Sequence, residues 1–241
     1  MTHLNVRLRK TIMPVMLLLA VVFGLSACKK TDNQPSHTPA AGLMAVNLVP
    51  DRDAIIVAVG GNSLSNAPLY FSNYTGGYQG VYVGSRTLES YDFNTRELLA
   101  STTNSFTDSS YYSLFVTGTE NNYKNILVKD PLDSLPTGTG ESFVRFINAV
   151  TDSVQNPTVQ ISAGSSAVFE AQPAFGFVSD FKAVTPGTLS VAVTGEAVDA
   201  SRDITLEKGK IYTILLAGQP GATNAERGVS VKYIENGIVS E

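Results

Sequence analysis

The feature that most constrains the fold is that the chain repeats itself once. Val46-Asn47-Leu48-Val49-Pro50-Asp51 lines up with Ile147-Asn148-Ala149-Val150-Thr151-Asp152, an offset of 101. In the same order, Val83-Gly84-Ser85-Arg86-Thr87-Leu88 meets Val184-Thr185-Pro186-Gly187-Thr188-Leu189, and Tyr112-Ser113-Leu114-Phe115-Val116-Thr117-Gly118 meets Tyr212-Thr213-Ile214-Leu215-Leu216-Ala217-Gly218. Ile126-Leu127-Val128-Lys129 similarly matches Val229-Ser230-Val231-Lys232. A period of roughly 100 residues is long enough for each copy to enclose its own core. The expected organisation is a first domain over 42–130, a linker over 131–141 where Pro and Gly cluster, and a second domain over 142–241.

Within each copy the apolar residues come in short runs rich in Val, Ile, Phe and Tyr, separated by turn residues every 8–12 positions or so, and no long amphipathic helix is visible. In the second copy this pattern predicts strands over Phe143–Ala149, Thr158–Ser162, Val178–Val184, Leu189–Thr194, Arg202–Leu206, Ile211–Gly218 and Val229–Ile234. Leu189-Ser190-Val191-Ala192-Val193 places its larger residues on alternate positions, so one face is buried. The fold class is all-β, with two tandem immunoglobulin-like antiparallel β-sandwich domains. Leu206-Glu207-Lys208-Gly209-Lys210-Ile211-Tyr212 has the spacing of a tyrosine corner, in which the ring packs and the hydroxyl bonds to upstream backbone. Phe106, Ser109 and Tyr112 hold the same three positions in the first copy, so Tyr212, Gly209 and Tyr112 are expected to be structural.

The first thirty residues carry an address. Arg7, Arg9 and Lys10 precede an uncharged apolar run from Ile12 to Leu25 that is too short for a membrane span of ~20 residues, the pattern of a secretory signal peptide over 1–27. Leu25-Ser26-Ala27-Cys28 resembles the bacterial lipobox, which accounts for a lone cysteine in an exported chain. Cys28 would then carry the acyl chains, palmitate among them, that hold the mature protein on a membrane, since several chains anchor stably where one does not. Lys29 to Ala41 is polar, contains Pro35 and Pro39, and reads as a tether reaching roughly 20 Å.

Composition removes several kinds of chemistry. The two histidines are His3 and His37, and tryptophan is absent, so His-based catalysis, disulfides and Cys/His metal sites are not expected in the folded part. The chain has a net charge of −4, and loss of the basic leader makes it more negative, which argues against nucleic acid as a partner. No cofactor and no enzyme activity are expected. Asp51-Arg52-Asp53 offers too few carboxylates for calcium, and the second copy keeps only Asp152. Glu89, Asp92 and Glu97 would need a cleft between paired carboxyls to work as a glycosidase. Tyr70, Tyr74, Tyr78 and Tyr82 recur every fourth residue and would share a face on a continuous strand. Core or cross-strand packing is the preferred account of them, because Gly76-Gly77 interrupts the run and the second copy has Phe175, Phe177 and Phe181 there. The alternative is a platform of Tyr74, Tyr78 and Tyr82 that stacks against glycans.

The Asn- and Asp-bearing first strand and turn, the second strand ending at Gly60-Gly61-Asn62, and the Leu206–Tyr212 corner leading into Ile214-Leu215-Leu216-Ala217-Gly218 resemble the domain of unknown function 4397, in two copies over 43–234. The first copy departs from that pattern at Gly84-Ser85-Arg86, where Pro-Gly is typical. The resemblance implies an exported or surface protein and supplies no catalytic residues. Cys28 followed by Lys29-Lys30-Thr31-Asp32 is similar to lipoproteins of Bacteroidetes-type bacteria, which implies the outer membrane, on its periplasmic or its extracellular face. The combined expectation is a non-catalytic envelope lipoprotein that serves as an interaction or structural module, its partners being the membrane through Cys28 and other envelope proteins or glycans.

Overall fold

The computed structural model describes residues 38–151, 156–196 and 198–239; the leader, Cys28, His3 and His37 lie outside the described residues. The first copy contains β1 (Ala40–Leu48), β2 (Ala54–Val59), β3 (Asn62–Ser63), β4 (Leu69–Tyr70), β5 (Gln79–Tyr82), β6 (Gly84–Asp92), β7 (Leu98–Phe106), β8 (Tyr111–Thr117) and β9 (Lys124–Asp130). The second contains β10 (Ser142–Val150), β11 (Thr158–Ala163), β12 (Ser166–Ala171), β13 (Lys182–Val184), β14 (Gly187–Gly195), β15 (Val198–Leu206), β16 (Lys210–Gly218) and β17 (Ser230–Ile238). Helical structure among the described residues is limited to two single 3-10 turns, Leu132–Ser134 and Ala225–Arg227. β1 starts inside the stretch expected to be tether, because Ala40 and Ala41 pair with Tyr82 and Val81 and Ala41 is buried.

Each copy is a sandwich of two sheets. The outer sheets run β3-β2-β6-β7 in the first copy and β12-β11-β14-β15 in the second, and the inner sheets run β5-β1-β8-β9 and β13-β10-β16-β17. The outer sheets are antiparallel, while each inner sheet contains one parallel pair, β1 with β8 and β10 with β16. A parallel pair needs a long crossover, and here most of the copy supplies it. The outer sheets alternate: along β14 only Leu189, Val191 and Val193 are buried, with polar Ser190 and Thr194 outward.

The central strands of the inner sheets, β1, β8, β10 and β16, do not alternate. β10 is buried along its whole length, and β16 at every position after Lys210. Both faces of each inner sheet are therefore covered, which is the condition under which strands read as continuous apolar runs. One face closes the sandwich core of its own copy, around Leu43, Ile55, Leu88 and Leu114 in the first and Phe146, Ile161, Leu189 and Ile214 in the second. The other face closes a third core shared by both copies, in which Met44, Val46, Leu48 and Phe115 meet Ile147, Ala149, Leu215 and Ile234. Sequence periodicity predicts one core per copy, and the structure adds this third layer, so that four sheets are stacked face to face.

Register also corrects two of the alignments. Thr117 pairs with Lys124 and Ala217 with Ser230, so Lys124 corresponds to Ser230, and Ile126 corresponds to Lys232 rather than to Val229. Gly84 pairs with Phe106 as Gly187 pairs with Leu206, which matches Gly84 to Gly187 rather than to Thr185. Loop-length differences between the copies bring similar residues into line at the wrong offset. β12 was not legible, and the predicted strand from Val178 shrinks to β13 because Val178 makes only an isolated bridge to Ile147.

The topology sorts the loops into two ends. Ala40, the Ser109 and Gly209 turns, the linker and Val239 share one end, tied by bonds from Ser109 N–H to Ala40 O, Gly209 N–H to Glu141 O and Val239 N–H to Gly209 O. The connections after β1, β8, β10 and β16 share the other, where Arg227 of the second copy donates to Arg52 O of the first at 3.0 Å.

Candidate functional site

Three polar devices are built into this frame. The first repeats in both copies. Asn47 Nδ2 donates to Leu69 O at 2.8 Å and its Oδ1 accepts from Val49 N–H at 2.9 Å; Asn148 does the same with Pro173 O at 2.9 Å and Val150 N–H at 3.1 Å. Both asparagines are buried, and each spends its amide on backbone groups that would otherwise be orphaned. They latch the excursion carrying Phe71 or Phe175 onto the end of the inner strand.

The second device is the corner. Tyr212 Oη accepts from Glu207 N–H at 3.0 Å, and Tyr112 Oη accepts from Thr107 N–H at 3.1 Å. Gly209 has a φ of +73° and Ser109 has +56°, so both turns pass through the left-handed region and only one of them uses glycine. Serine adopts this conformation at a steric cost that glycine does not bear.

The third device joins the copies. Asp130, at the end of β9, and Arg145, inside β10, are each about 2% exposed. Arg145 Nη1 donates to Asp130 Oδ1 at 2.5 Å, and Asp130 Oδ2 accepts from Tyr78 Oη and Ser113 Oγ, both at 2.6 Å. Arg145 Nη2 donates to Ser113 Oγ at 2.8 Å, and its Nε donates to Thr213 Oγ1 at 2.9 Å. Thr213 Oγ1 donates to Asn236 Oδ1 at 2.6 Å, and Asn236 Nδ2 donates to Tyr78 Oη at 3.2 Å. The ring of bonds closes on itself and crosses between the copies at Arg145, which reaches Asp130 and Ser113, and at Asn236, which reaches Tyr78. The guanidinium also lies 4.4 Å from the centre of the Phe181 ring. Burial pushes the Tyr78 hydroxyl well above its ordinary range, and the Asp130 charge and hydrogen bond add to this. The Tyr78 hydroxyl donates to Asp130 and accepts from Asn236, so it bridges the two copies within the network.

The tyrosines proposed as a platform are not gathered. Tyr82 is 69% exposed, whereas Tyr74 and Tyr78 pack partly buried against the shared core, with the Tyr78 hydroxyl committed to Asp130. Tyr78 is held edge-to-face on Tyr111, 5.0 Å between centres. The glycine pair Gly76-Gly77 bends the chain between Tyr74 and Tyr78, so four-residue spacing does not produce a common face.

The acidic residues have separate partners. Asp51 Oδ2 accepts from Glu120 N–H at 3.0 Å and from Tyr123 Oη at 2.7 Å; burial and this carboxylate push the Tyr123 hydroxyl up to about 12. Asp92 Oδ1 accepts from the N–H groups of Asn94 and Thr95 at 2.8 and 2.7 Å, capping the turn into β7, with Arg52 Nε 3.5 Å away and Glu97 on the same guanidinium at 3.2 Å. Asp53 faces Asn94 and Arg227. These are turn-holding roles. Among the described residues no group of three His, Cys, Asp or Glu side chains is placed to hold a metal ion, and no helix is long and apolar enough to cross a membrane.

Sequence reasoning missed Arg145, Asp130 and Asn236. The available signal was Arg145 itself, the one charge in a run from Phe143 to Val150 that is apolar apart from it and Asn148.

The chain is similar to a solved structure of a "putative cell adhesion protein" from Bacteroides ovatus ATCC 8483, at 11% identity and a TM-score of 0.25, over 85% of this chain and 100% of that one. No curated protein matches the chain in sequence. A family model does match twice, over residues 41–154 and 142–229, and the two matches overlap on the first strand of the second copy, β10. The chain belongs to the family Domain of unknown function (DUF4397), as a tandem pair.

Proposed function

We propose that this protein is a non-catalytic interaction module of the cell envelope, anchored in the outer membrane by acyl chains on Cys28 and presenting the loops at its far end to a partner. The observation that carries this reading is the division of the molecule into two ends. The chain enters at Ala40, on the same end as the linker and Val239, and the loops after β1, β8, β10 and β16 are all at the other. A tether joining at Ala40 attaches to the end opposite those loops and leaves the loops themselves unattached. The rigid frame suits display, since loops carry recognition when a scaffold fixes them. The polar groups described above are spent on holding the frame, which supports binding rather than turnover.

A glycan platform on Tyr74, Tyr78 and Tyr82 is not favoured, because two of the three rings are packed into the shared core. The test of the anchored reading is fractionation of cells expressing the chain or its Cys28→Ser variant, with metabolic labelling by an alkyne fatty acid. Labelled wild-type protein in the outer membrane and an unlabelled, released variant are expected. An unlabelled wild type that is nonetheless membrane-bound would overturn it. Protease treatment of intact cells then assigns the face.

A further inference from the structure

The copies meet reciprocally at the end away from Ala40, and the reciprocity fails in one place. Phe71 and Phe175 hold the same station, each three residues before the residue that bridges to the inner strand, Tyr74 to Val46 and Val178 to Ile147. Each ring receives a cation from the opposite copy: Arg227 Cζ lies 5.2 Å from the centre of Phe71, and Lys124 Nζ lies 5.3 Å from the centre of Phe175. The two cations come from different stations. Lys124 opens β9, whereas Arg227 belongs to the 3-10 turn in the β16–β17 connection, which is six residues longer between the paired positions Ala217 and Ser230 than its counterpart between Thr117 and Lys124. The longer loop lays Arg227 across the first copy, donating to Arg52 O at 3.0 Å and facing Asp53 Oδ1 at 3.5 Å.

On the other side the shorter loop leaves a cleft of about 160 Å³ between the copies, lined by Gly118, Thr119, Asn122, Thr151, Asn156 and Phe175. No charged side chain is among the described residues that line it. Its polar groups are hydroxyls and amides, which both donate and accept, the match for hydroxyl groups on a ligand. Phe175 adds apolar ring surface, and Lys124, whose ammonium lies over one face of that ring, disfavours a cationic guest. The volume is below the ~300 Å³ at which pockets begin to enclose drug-sized molecules, which limits the occupant to a single ring.

We propose that this cleft binds one uncharged sugar residue, free or at the end of a chain, with Phe175 against its C–H face and Asn122 and Asn156 on its hydroxyls. The assignment rests on the reading of the protein as a binding module and names its ligand class.

Saturation-transfer NMR on the full chain, with the methyl glycosides of glucose, galactose, mannose and N-acetylglucosamine as probes, tests it. Transfer to the ring protons of at least one glycoside is expected. The Asn122→Ala/Asn156→Ala pair should weaken binding by about fivefold or more, the effect of losing roughly one net hydrogen bond. Asn156→Trp, which fills the cleft from an exposed position, should abolish it with the unfolding temperature unchanged. Absence of transfer from all four glycosides, or transfer that survives Asn156→Trp, would overturn the site. Either outcome leaves the anchored-module reading to be judged by its own fractionation experiment.

Discussion

Met44 and Arg145 occupy the same station in the two copies. Each directly follows the residue that pairs with a corner tyrosine, Leu43 with Tyr112 and Val144 with Tyr212, and each is buried between the inner sheets. One copy places a thioether there and the other a guanidinium, whose carboxylate partner Asp130 comes from the opposite copy. An interface made of two nearly equivalent apolar faces could slide or reverse. A single buried ion pair, satisfied only when Arg145 reaches Asp130, selects one arrangement.

Arg145→Met therefore tests more than a contact. It restores the first copy's residue but strands Asp130 without its cation, and a loss of about 3–5 kcal/mol is expected from an uncompensated buried charge. Adding Asp130→Asn should recover a substantial part of that loss. Urea denaturation of the wild type, both single variants and the double variant gives the cycle; a double variant no more stable than Arg145→Met would show that the pair is not what the substitution broke.

Tyr112→Phe and Tyr212→Phe should each cost about 1 kcal/mol, the net worth of one hydrogen bond. The two corners belong to different sandwiches, so the losses should add in the double variant. Denaturation midpoints unmoved by either change would remove the corner from the account of stability.

The turns before the corners should respond in opposite directions. At Gly209 an added Cβ would meet nothing nearer than Val239 O at 3.5 Å, so Gly209→Ala isolates the backbone term, a cost of about 1–2 kcal/mol for φ of +73°. Ser109→Gly relieves the same term at φ of +56° and gives back part of it as unfolded-chain entropy, for a net gain of roughly 0.5 kcal/mol. Calorimetry on both variants checks the sign.

Asp92 sets a pH dependence. Burial by itself would raise its pKa, but hydrogen bonds from Thr95 and Asn94, together with the Arg52 charge, outweigh it and hold the carboxyl below its ordinary value. A depressed folded-state value means that its stabilisation is fully present above the unfolded value of about 3.9 and is lost as pH falls through the folded one. Asp92→Asn should be less stable than wild type near neutral pH, and the gap should narrow in acid. A gap constant from about pH 6 down to about pH 2 would contradict the assignment.

The duplication, the strand pattern and the corners were legible because each is local: Asn47 recurs as Asn148, Leu189 to Val193 alternates, and Leu206, Gly209 and Tyr212 keep their spacing. The shared core was not. Period-two alternation reports a strand with one buried face, and β1 and β10, buried on both, look the same in sequence as any apolar run. The tyrosine series was legible for a related reason: spacing defines a face only while the strand is continuous, and Gly76 and Gly77, visible in the sequence, end that condition between Tyr74 and Tyr78. The cleft between the copies was invisible because its lining comes from loops of both copies, far apart along the chain.

The middle layer should make the connecting segment after Asp130 dispensable once folding is complete. Met44, Leu48 and Phe115 on one side and Ile147 and Leu215 on the other would be laid open to water by separation. A protease nick between Pro131 and Gly140 should leave the two fragments together as a non-covalent heterodimer, and either half made alone should seek a second copy of itself to cover the bared sheet.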